Sequence, residues 1–254
     1  MATWKRALIT GASSGIGRSI AHQLAAGGTE LVVVARDGAR LDALAEELPT
    51  EVEVLTADLG DDGAVSRVIE RLVSGERPID LLVNNAGLGF AGPTIETSDA
   101  DDELTVAVNV VALHRLTRAA AAAMADRGAG AILNVSSIAG DMPGPQSATY
   151  NATKAFVTSF SEALHVQLKP SGVTVTALCP GLTRTEFQER AGVADLGAPD
   201  FAWQTADEVA RIGLEATAQG TAVVVPGALN KTLAGLLRTL PRGLTRGIVA
   251  RART

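Results

Sequence analysis

The sequence predicts a doubly wound α/β fold, a parallel seven-stranded sheet with helices on both faces, on three observations. Short apolar, β-branched runs recur along the chain, they alternate with stretches of 3.6-residue periodicity, and they lack the period-two pattern of strands with one wet face. Alternation of strand and helix is the mark of a parallel sheet, whose crossovers are helical. Unbroken apolar runs are what burial on both faces demands.

The strand runs fall at 6–10, 31–35, 52–56, 80–84, 131–135, 173–178 and 222–225. Helical periodicity covers 16–26, 39–48, 64–73, 102–124 and 152–168, and Thr205 with Glu208 has capping-box spacing that should start one more helix. No composition break, linker or repeat divides the 254 residues, so a single domain over 1–254 is expected. The chain is 46% hydrophobic with a formal charge of −6, and its one cysteine, Cys179, cannot form an intramolecular disulfide. A secreted disulfide scaffold and a Cys-rich zinc module are thereby excluded, and no metal site is expected. Cys179 reads as a small buried hydrophobe. His22, His114 and His165 fit no metal or acid–base spacing. No apolar run approaches a membrane span, and a strand pattern starting at Arg6 leaves no room for a signal peptide, so a cytoplasmic location is expected. An acidic body without zinc-finger or helix-turn-helix pattern argues against a nucleic-acid partner.

The first strand runs into Thr10-Gly11-Ala12-Ser13-Ser14-Gly15-Ile16-Gly17, which opens the first helix. A parallel sheet presents backbone N–H groups and a helix N-terminus to a phosphate at this place. Gly11 permits the tight turn, Gly15 lets a pyrophosphate approach the backbone, and Gly17 lets the helix pack close to the strand. By itself such a turn is equally a plain strand-to-helix connection, and the missing Gly-Lys-Ser/Thr ending excludes a P-loop. The second strand ends at Ala35-Arg36. A carboxylate here grips a free ribose 2′-hydroxyl, whereas a guanidinium pairs with a 2′-phosphate, so Arg36 favours the phosphorylated dinucleotide. The alternative is a solvated Arg36 beside Asp37 as helix N-cap. Asp58 and the run Asn84-Asn85-Ala86-Gly87 should line the same edge of the sheet.

Tyr150 is the only tyrosine, and Lys154 follows four residues later on the same face of a helix. An ammonium there stabilises phenolate over phenol, which should bring the Tyr150 acidity down from its usual value of about 10 toward working pH. Ser137, at the exit of the fifth strand, points to the same edge as the glycine turn and can hydrogen-bond a carbonyl oxygen as Tyr150 protonates it. Hydride must then come from a cofactor, because no side chain supplies one.

Taken in order, these motifs resemble the short-chain dehydrogenase/reductase superfamily in its form of about 250 residues, whose fold is the Rossmann type. Thr10–Gly17 matches T-G-x-x-x-G-x-G, Asn84–Gly87 matches N-N-A-G, Ser137, Tyr150 and Lys154 match the catalytic Ser and Y-x-x-x-K, and Pro180-Gly181 with Thr185 matches P-G-x-x-x-T. The resemblance implies Asn109, Ser137, Tyr150 and Lys154 as catalytic residues, with Asn109 holding a relay water; read by itself, Asn109 is equally a mid-helix Asn that bends its helix. It implies cofactor contacts from Gly11, Ser13, Ser14, Gly15, Ile16, Gly17, Arg36, Asp58, Leu59, Asn85, Ala86, Gly87, Tyr150, Lys154, Pro180, Gly181, Thr183 and Thr185. Asp58 would flank the adenine, Lys154 the nicotinamide ribose and Thr185 the nicotinamide carboxamide. Some NADP-preferring relatives carry a second basic residue before the middle glycine, where this chain has Ser14. The resemblance also implies a homodimer or homotetramer through the helices bearing Asn109 and Tyr150.

Residues 182–204, with Phe187, Phe201 and Trp203, should form a mobile cover over the substrate, its apolar content favouring a hydrophobic small-molecule carbonyl compound. The tail, 230–254, carries Lys231, Arg238, Arg242, Arg246, Arg251 and Arg253 without an acid, among Leu233, Leu236, Leu237, Leu240, Leu244 and Ile248. It reads as a flap on the domain or a partner subunit, with a membrane surface as the alternative. The expected function is therefore an oxidoreductase, using NADP(H) in preference to NAD(H), that transfers hydride between nicotinamide and a ketone, aldehyde or secondary alcohol. The alternatives are a non-catalytic dinucleotide sensor or scaffold, and a 3-oxoacyl-thioester reductase whose tail meets an acidic carrier.

Overall fold

The computed structural model describes residues 4–192, 197–241, 243, 244 and 246. Residues 193–196 of the expected cover, and Arg242, Ile248, Arg251 and Arg253 of the tail, lie outside the described residues. The chain runs β1 (Arg6–Thr10), α1 (Gly15–Ala26), β2 (Glu30–Ala35), α2 (Gly38–Glu47), β3 (Val52–Thr56), α3 (Asp62–Val73) and β4 (Leu81–Asn84). It continues through α4 (Asp99–Val106), α5 (Leu113–Arg127), β5 (Gly130–Val135), α6 (Ala148–Leu168) and β6 (Val173–Leu178). A two-stranded pair, β7 (Thr183–Arg184) and β8 (Gln204–Thr205), brackets the short α7 (Phe187–Arg190), and α8 (Ala206–Ala218), β9 (Val223–Val224) and α9 (Ala228–Thr239) follow.

The main sheet has the order β3-β2-β1-β4-β5-β6-β9, and every pairing is parallel. Alternate residues of one strand feed two separate cores. Ala7, Ile9, Leu31, Val33, Leu81 and Val83 pack with Ile20, Leu24, Leu41, Val209 and Leu214 on one face. Leu8, Val32, Val34, Leu82 and Ile132 pack with Val68, Leu72, Leu116 and Met124 on the other. Cys179, just past β6, is buried as a small apolar residue with Ile138, Val225 and Ala234.

Strand order reverses between β1 and β4, and the crevice opens at the carboxyl ends of those strands. Each expected strand and helix forms within a few residues of its expected bounds, with one informative difference. The single helix expected over 102–124 starts earlier, at Asp99, because the Ser98 hydroxyl accepts a hydrogen bond from Asp101 N. It is also interrupted by a π-helical turn, Ala107–Ala112, which contains Asn109. Thr205 caps α8 as expected, accepting from Glu208 N.

Candidate active site

The carboxyl edge of the sheet carries a cavity of about 620 Å³. Gly11, Ser13, Ser14, Gly15 and Ile16 form its floor at the entry to α1. Gly11 and Gly15 have φ of 66° and 54°, a left-handed backbone that favours glycine, and a Cβ on Gly11 would sit 2.9 Å from the Ala86 Cα. Helix α1 differs from α2, α3, α4 and α8 in one respect: no side chain caps it, whereas those four are capped by Asp37, Asp61, Ser98 and Thr205. Its first N–H groups are thus left for an anion lying in the cavity.

Arg36 lines the cavity at the end of β2 and makes no hydrogen bond or ion pair with a described residue. The neighbouring Asp37 carboxylate is engaged in capping α2 through Arg40 N at 3.1 Å. The free charge at this wall is therefore the guanidinium. Asp58 and Leu59 line the cavity beyond β3, with the Asp58 carboxylate accepting from Gly60 N at 2.9 Å. Asn85, Ala86 and Gly87 line it beyond β4, and Asn85 Nδ2 donates to the Thr10 and Gly11 carbonyls at 3.0 Å each, fastening this loop to the glycine turn. Pro180, Gly181, Thr183 and Thr185 line the far wall. A turn free of side-chain caps and a glycine cradle together fit a dinucleotide, with the exposed Arg36 guanidinium at its edge.

Ser137, Tyr150 and Lys154 face the same cavity. Ser137 lies just past β5, its Oγ accepting from Ala139 N at 3.1 Å and so aimed by the short 3₁₀ turn that follows. Tyr150 and Lys154 share one face of α6, with Lys154 Nζ 5.7 Å from the centre of the phenol ring. Lys154 is only 4% exposed, and its Nζ donates to the Val135 carbonyl at 2.9 Å. Burial pushes the Lys154 ammonium down to about 8. It also pushes the Tyr150 phenol up to about 12, opposed by a hydrogen bond with Ser137. The expectation that Lys154 brings the Tyr150 acidity down is corrected here: loss of water around the ring outweighs the other influences, and the ammonium is turned to a backbone carbonyl.

Three further expectations are corrected by position, those for Asn84, Gly17 and the cover aromatics, while Asn109 takes the buried, helix-breaking place that its residue type also allowed. Asn84 does not line the cavity; its Nδ2 donates to Thr117 Oγ1 and Asn134 Oδ1 inside the fold, both at 2.9 Å. Gly17 does not line it either, because it faces the Gly11 carbonyl, which a Cβ would approach to 2.3 Å. Asn109 sits behind the wall, 1% exposed, with its amide accepting from Leu88 N and donating to Leu88 O and Thr153 Oγ1. Phe201 points to solvent at 79% exposure, and Trp203 is held under Arg184 with its indole donating to Ala198 O, so of the three aromatics expected over the substrate only Phe187 reaches the cavity. Pairing of β7 with β8 fixes the base of the segment and carries Trp203 away. Gly89, which none of the sequence motifs includes, lies against Tyr150: a Cβ there would be 2.7 Å from the ring. A further glycine two residues past N-N-A-G is the signal that could have found it. Leu88 and Phe90 continue the cavity wall on either side of Gly89, whereas Leu104 packs over Gly60 beside Asp58 at the other end of the cavity.

A donor hydroxyl, a phenol and a buried amine meeting an anion cradle in one crevice suit proton transfer beside a nucleotide. The short chain dehydrogenase family model matches residues 5–195. The chain belongs to the short-chain dehydrogenase/reductase superfamily. It is accordingly an oxidoreductase of the CH–OH/C=O type with a nicotinamide cofactor. Sulfoacetaldehyde reductase of Chromohalobacter salexigens is 40% identical over 211 residues, covering 80% of this chain and 83% of that protein. A short-chain dehydrogenase from Sphingobium yanoikuyae, solved with NADPH, superposes with a TM-score of 0.82 at 37% identity, over 93% of this chain and 96% of that one. The bulky-bulky ketone specific alcohol dehydrogenase of Comamonas testosteroni superposes with a TM-score of 0.78 at 32% identity, over 94% and 96%. Among the described residues no helix is long and apolar enough to cross a membrane.

Proposed function

We propose that the protein uses NADP(H) to interconvert a predominantly apolar ketone or aldehyde and its alcohol, with Tyr150 as the proton donor. The observation that carries this is the meeting of Ser137, Tyr150 and Lys154 with the uncapped glycine turn and the unpaired Arg36 in one cavity. The turn and the N-terminus of α1 hold the pyrophosphate, Arg36 holds the 2′-phosphate, Asp58 and Leu59 flank the adenine, and Asn85, Ala86 and Gly87 support the chain between them. Pro180, Gly181, Thr183 and Thr185 hold the nicotinamide end, which supplies or accepts the hydride.

Reduction needs a protonated phenol, and burial keeps Tyr150 in that form at neutral pH. Ser137 Oγ holds the substrate oxygen while Tyr150 Oη passes it a proton. Lys154, with its ammonium near neutrality, favours return of a proton to the phenolate, and Asn109 supports that side by gripping the Leu88 backbone next to Gly87. Leu88 and Phe90 beside Gly89, with Phe187 against the Tyr150 ring, favour an apolar substrate. Arg190 lines the cavity, but its guanidinium is paired with Glu186, which weighs against a small anionic aldehyde. Exposed Phe156 and Val166 on α6, with Val106 at the end of α4 and Val111 in the π-helical turn, support a homo-oligomer.

The test is turnover of aromatic and aliphatic ketones, sulfoacetaldehyde and a 3-oxoacyl-CoA with NADPH and NADH. Faster reduction of the bulky ketones with NADPH is expected, and Tyr150→Phe should lower kcat by about 10²–10⁴. Full turnover by Tyr150→Phe overturns the assigned acid, and preference for the anionic aldehyde overturns the substrate class.

A further inference from the structure

The walls of the cofactor cleft are joined at the rim by an ion pair that none of the motifs predicts. Arg40 lies in the first turn of α2, four residues past Arg36, and Glu186 lies between Thr185 and Phe187 in the cover. Arg36 and Asp37 line one wall of the cavity, and Thr185 and Phe187 line the other. Arg40 Nη1 donates to both carboxylate oxygens of Glu186, at 3.0 and 2.9 Å, and Arg190 donates to the same carboxylate. Both partners are half-exposed, so the pair spans the mouth and not the interior.

Thr183, Thr185 and Ala191 of the cover are held by other contacts. Ala91 N donates to the Ala191 carbonyl at 3.0 Å at the end of α7, and Thr183 pairs with Gln204 at its base. Thr185 rests on the glycine turn, where a Cβ added to Gly15 would lie 3.0 Å from its methyl group. Among the described residues, the side-chain hydrogen bonds that tie 182–192 to the β2–α2 wall are those of Arg40 and Glu186. A nucleotide lying from Arg36 to Thr185 has to pass beneath this bridge.

We propose that Arg40 and Glu186 are positioning residues that form a clasp over the cofactor cleft, holding the cover against the ribose-phosphate wall and slowing nucleotide release. The proposal rests on the cofactor use inferred above. An exposed ion pair is weak, and weakness suits a clasp that must open once per turnover. Arg190 keeps Glu186 aimed across the gap when Arg40 lets go. Arg36, Arg40 and Arg190 outnumber Glu186 and Asp37, the latter 3.5 Å from Arg40 Nε, so the rim is net positive, a departing phosphate competes with Glu186 for Arg40, and opening is coupled to release.

The experiment is stopped-flow release of NADPH and of NADH, followed by dihydronicotinamide fluorescence, from wild type, Arg40→Gln, Glu186→Gln and the double variant Arg40→Gln with Glu186→Gln. Each single change is expected to speed release of both nucleotides by about threefold to tenfold and to flatten its dependence on salt. The double variant should release no faster than the faster single one, because each residue acts through the other, whereas general loosening would add. Wild-type release rates in both single variants, or additive acceleration in the double variant, overturn the clasp. So does Arg40→Gln weakening NADPH alone while Glu186→Gln changes nothing, since Arg40 is then a phosphate ligand. Wild type binding neither nucleotide defeats the cofactor assignment itself, whereas normal turnover with unaltered variants defeats the clasp alone.

Discussion

Tyr150 is the single phenol in the chain, so its ionisation can be read without interference. Burial raises its pKa to about 12, and tyrosinate absorption is therefore expected to be nearly absent from the free enzyme at pH 10, where an exposed tyrosine is half ionised. A tyrosinate band at half amplitude there, in protein still folded by circular dichroism, would show that Lys154 prevails over burial. The amine has its own signature. Lys154 titrates near 8 when folded against 10.5 when solvated, so the unfolded chain binds more protons between those values and stability should rise with pH across that window. Tyr150 acts oppositely above pH 10, where the unfolded chain loses its proton first. Denaturant midpoints measured from pH 7 to 11 in wild type and Lys154→Met should differ in slope between about 8 and 10.5, the variant lacking the rise. At the other end of the cleft, Arg36→Leu should raise KM for NADPH by about tenfold or more and leave that for NADH nearly unchanged, measured by initial rates with each cofactor. Equal losses with both nucleotides would remove the 2′-phosphate role.

Elements position these residues through contacts that leave little room. Gly17 brings α1 against the Gly11 carbonyl, and Gly17→Ala would force the helix outward, costing about 1–3 kcal/mol and widening the anion cradle. A lower denaturation midpoint together with weaker nucleotide binding is the expected pair of changes; native affinity in a destabilised variant would separate packing from binding. Gly89→Ala should act the other way, with near-native stability but reduced kcat, because the added methyl meets the Tyr150 ring and not the core. The strands and the glycine turn were legible because they obey local rules: apolar runs for two-sided burial, and glycines where the backbone turns left-handed. The break in the helix bearing Asn109 was legible as one of two readings of that residue, but its cause was not. It depends on Leu88, twenty-one residues earlier in the chain, offering both its N–H and its carbonyl to one amide. The cover failed for a similar reason. Its aromatic residues suggested a lid, but pairing of Thr183 with Gln204 decides which of them turn inward, and that pairing has no local signature.

On the scale of the whole molecule, the parallel sheet sends every β-to-α connection to one edge, which is why residues as far apart as Gly11, Ser137 and Thr185 share a cavity. The sequence carried this much, since order and type of element suffice for it. Which surfaces stay uncovered is a different matter, decided only when the helices are packed. Helix α6 keeps Phe156 and Val166 exposed, Val166 at 73%, and Val106 and Val111 add to an apolar face beside it. The same helix carries Tyr150 and Lys154 on its opposite, inward side. If two copies join through this face by twofold symmetry, Phe156 of each lies close to its symmetry mate's helix, and Phe156→Glu brings like charges into a desolvated contact. Sedimentation velocity should give a multiple of the 26.0 kDa chain for wild type and a single chain for Phe156→Glu, with native secondary structure. Turnover should fall with the mass, because α6 loses its outer support while holding the phenol and the amine in place. A wild-type protein that sediments as one chain would remove the oligomer, and an oligomer that survives Phe156→Glu would move its interface to another face.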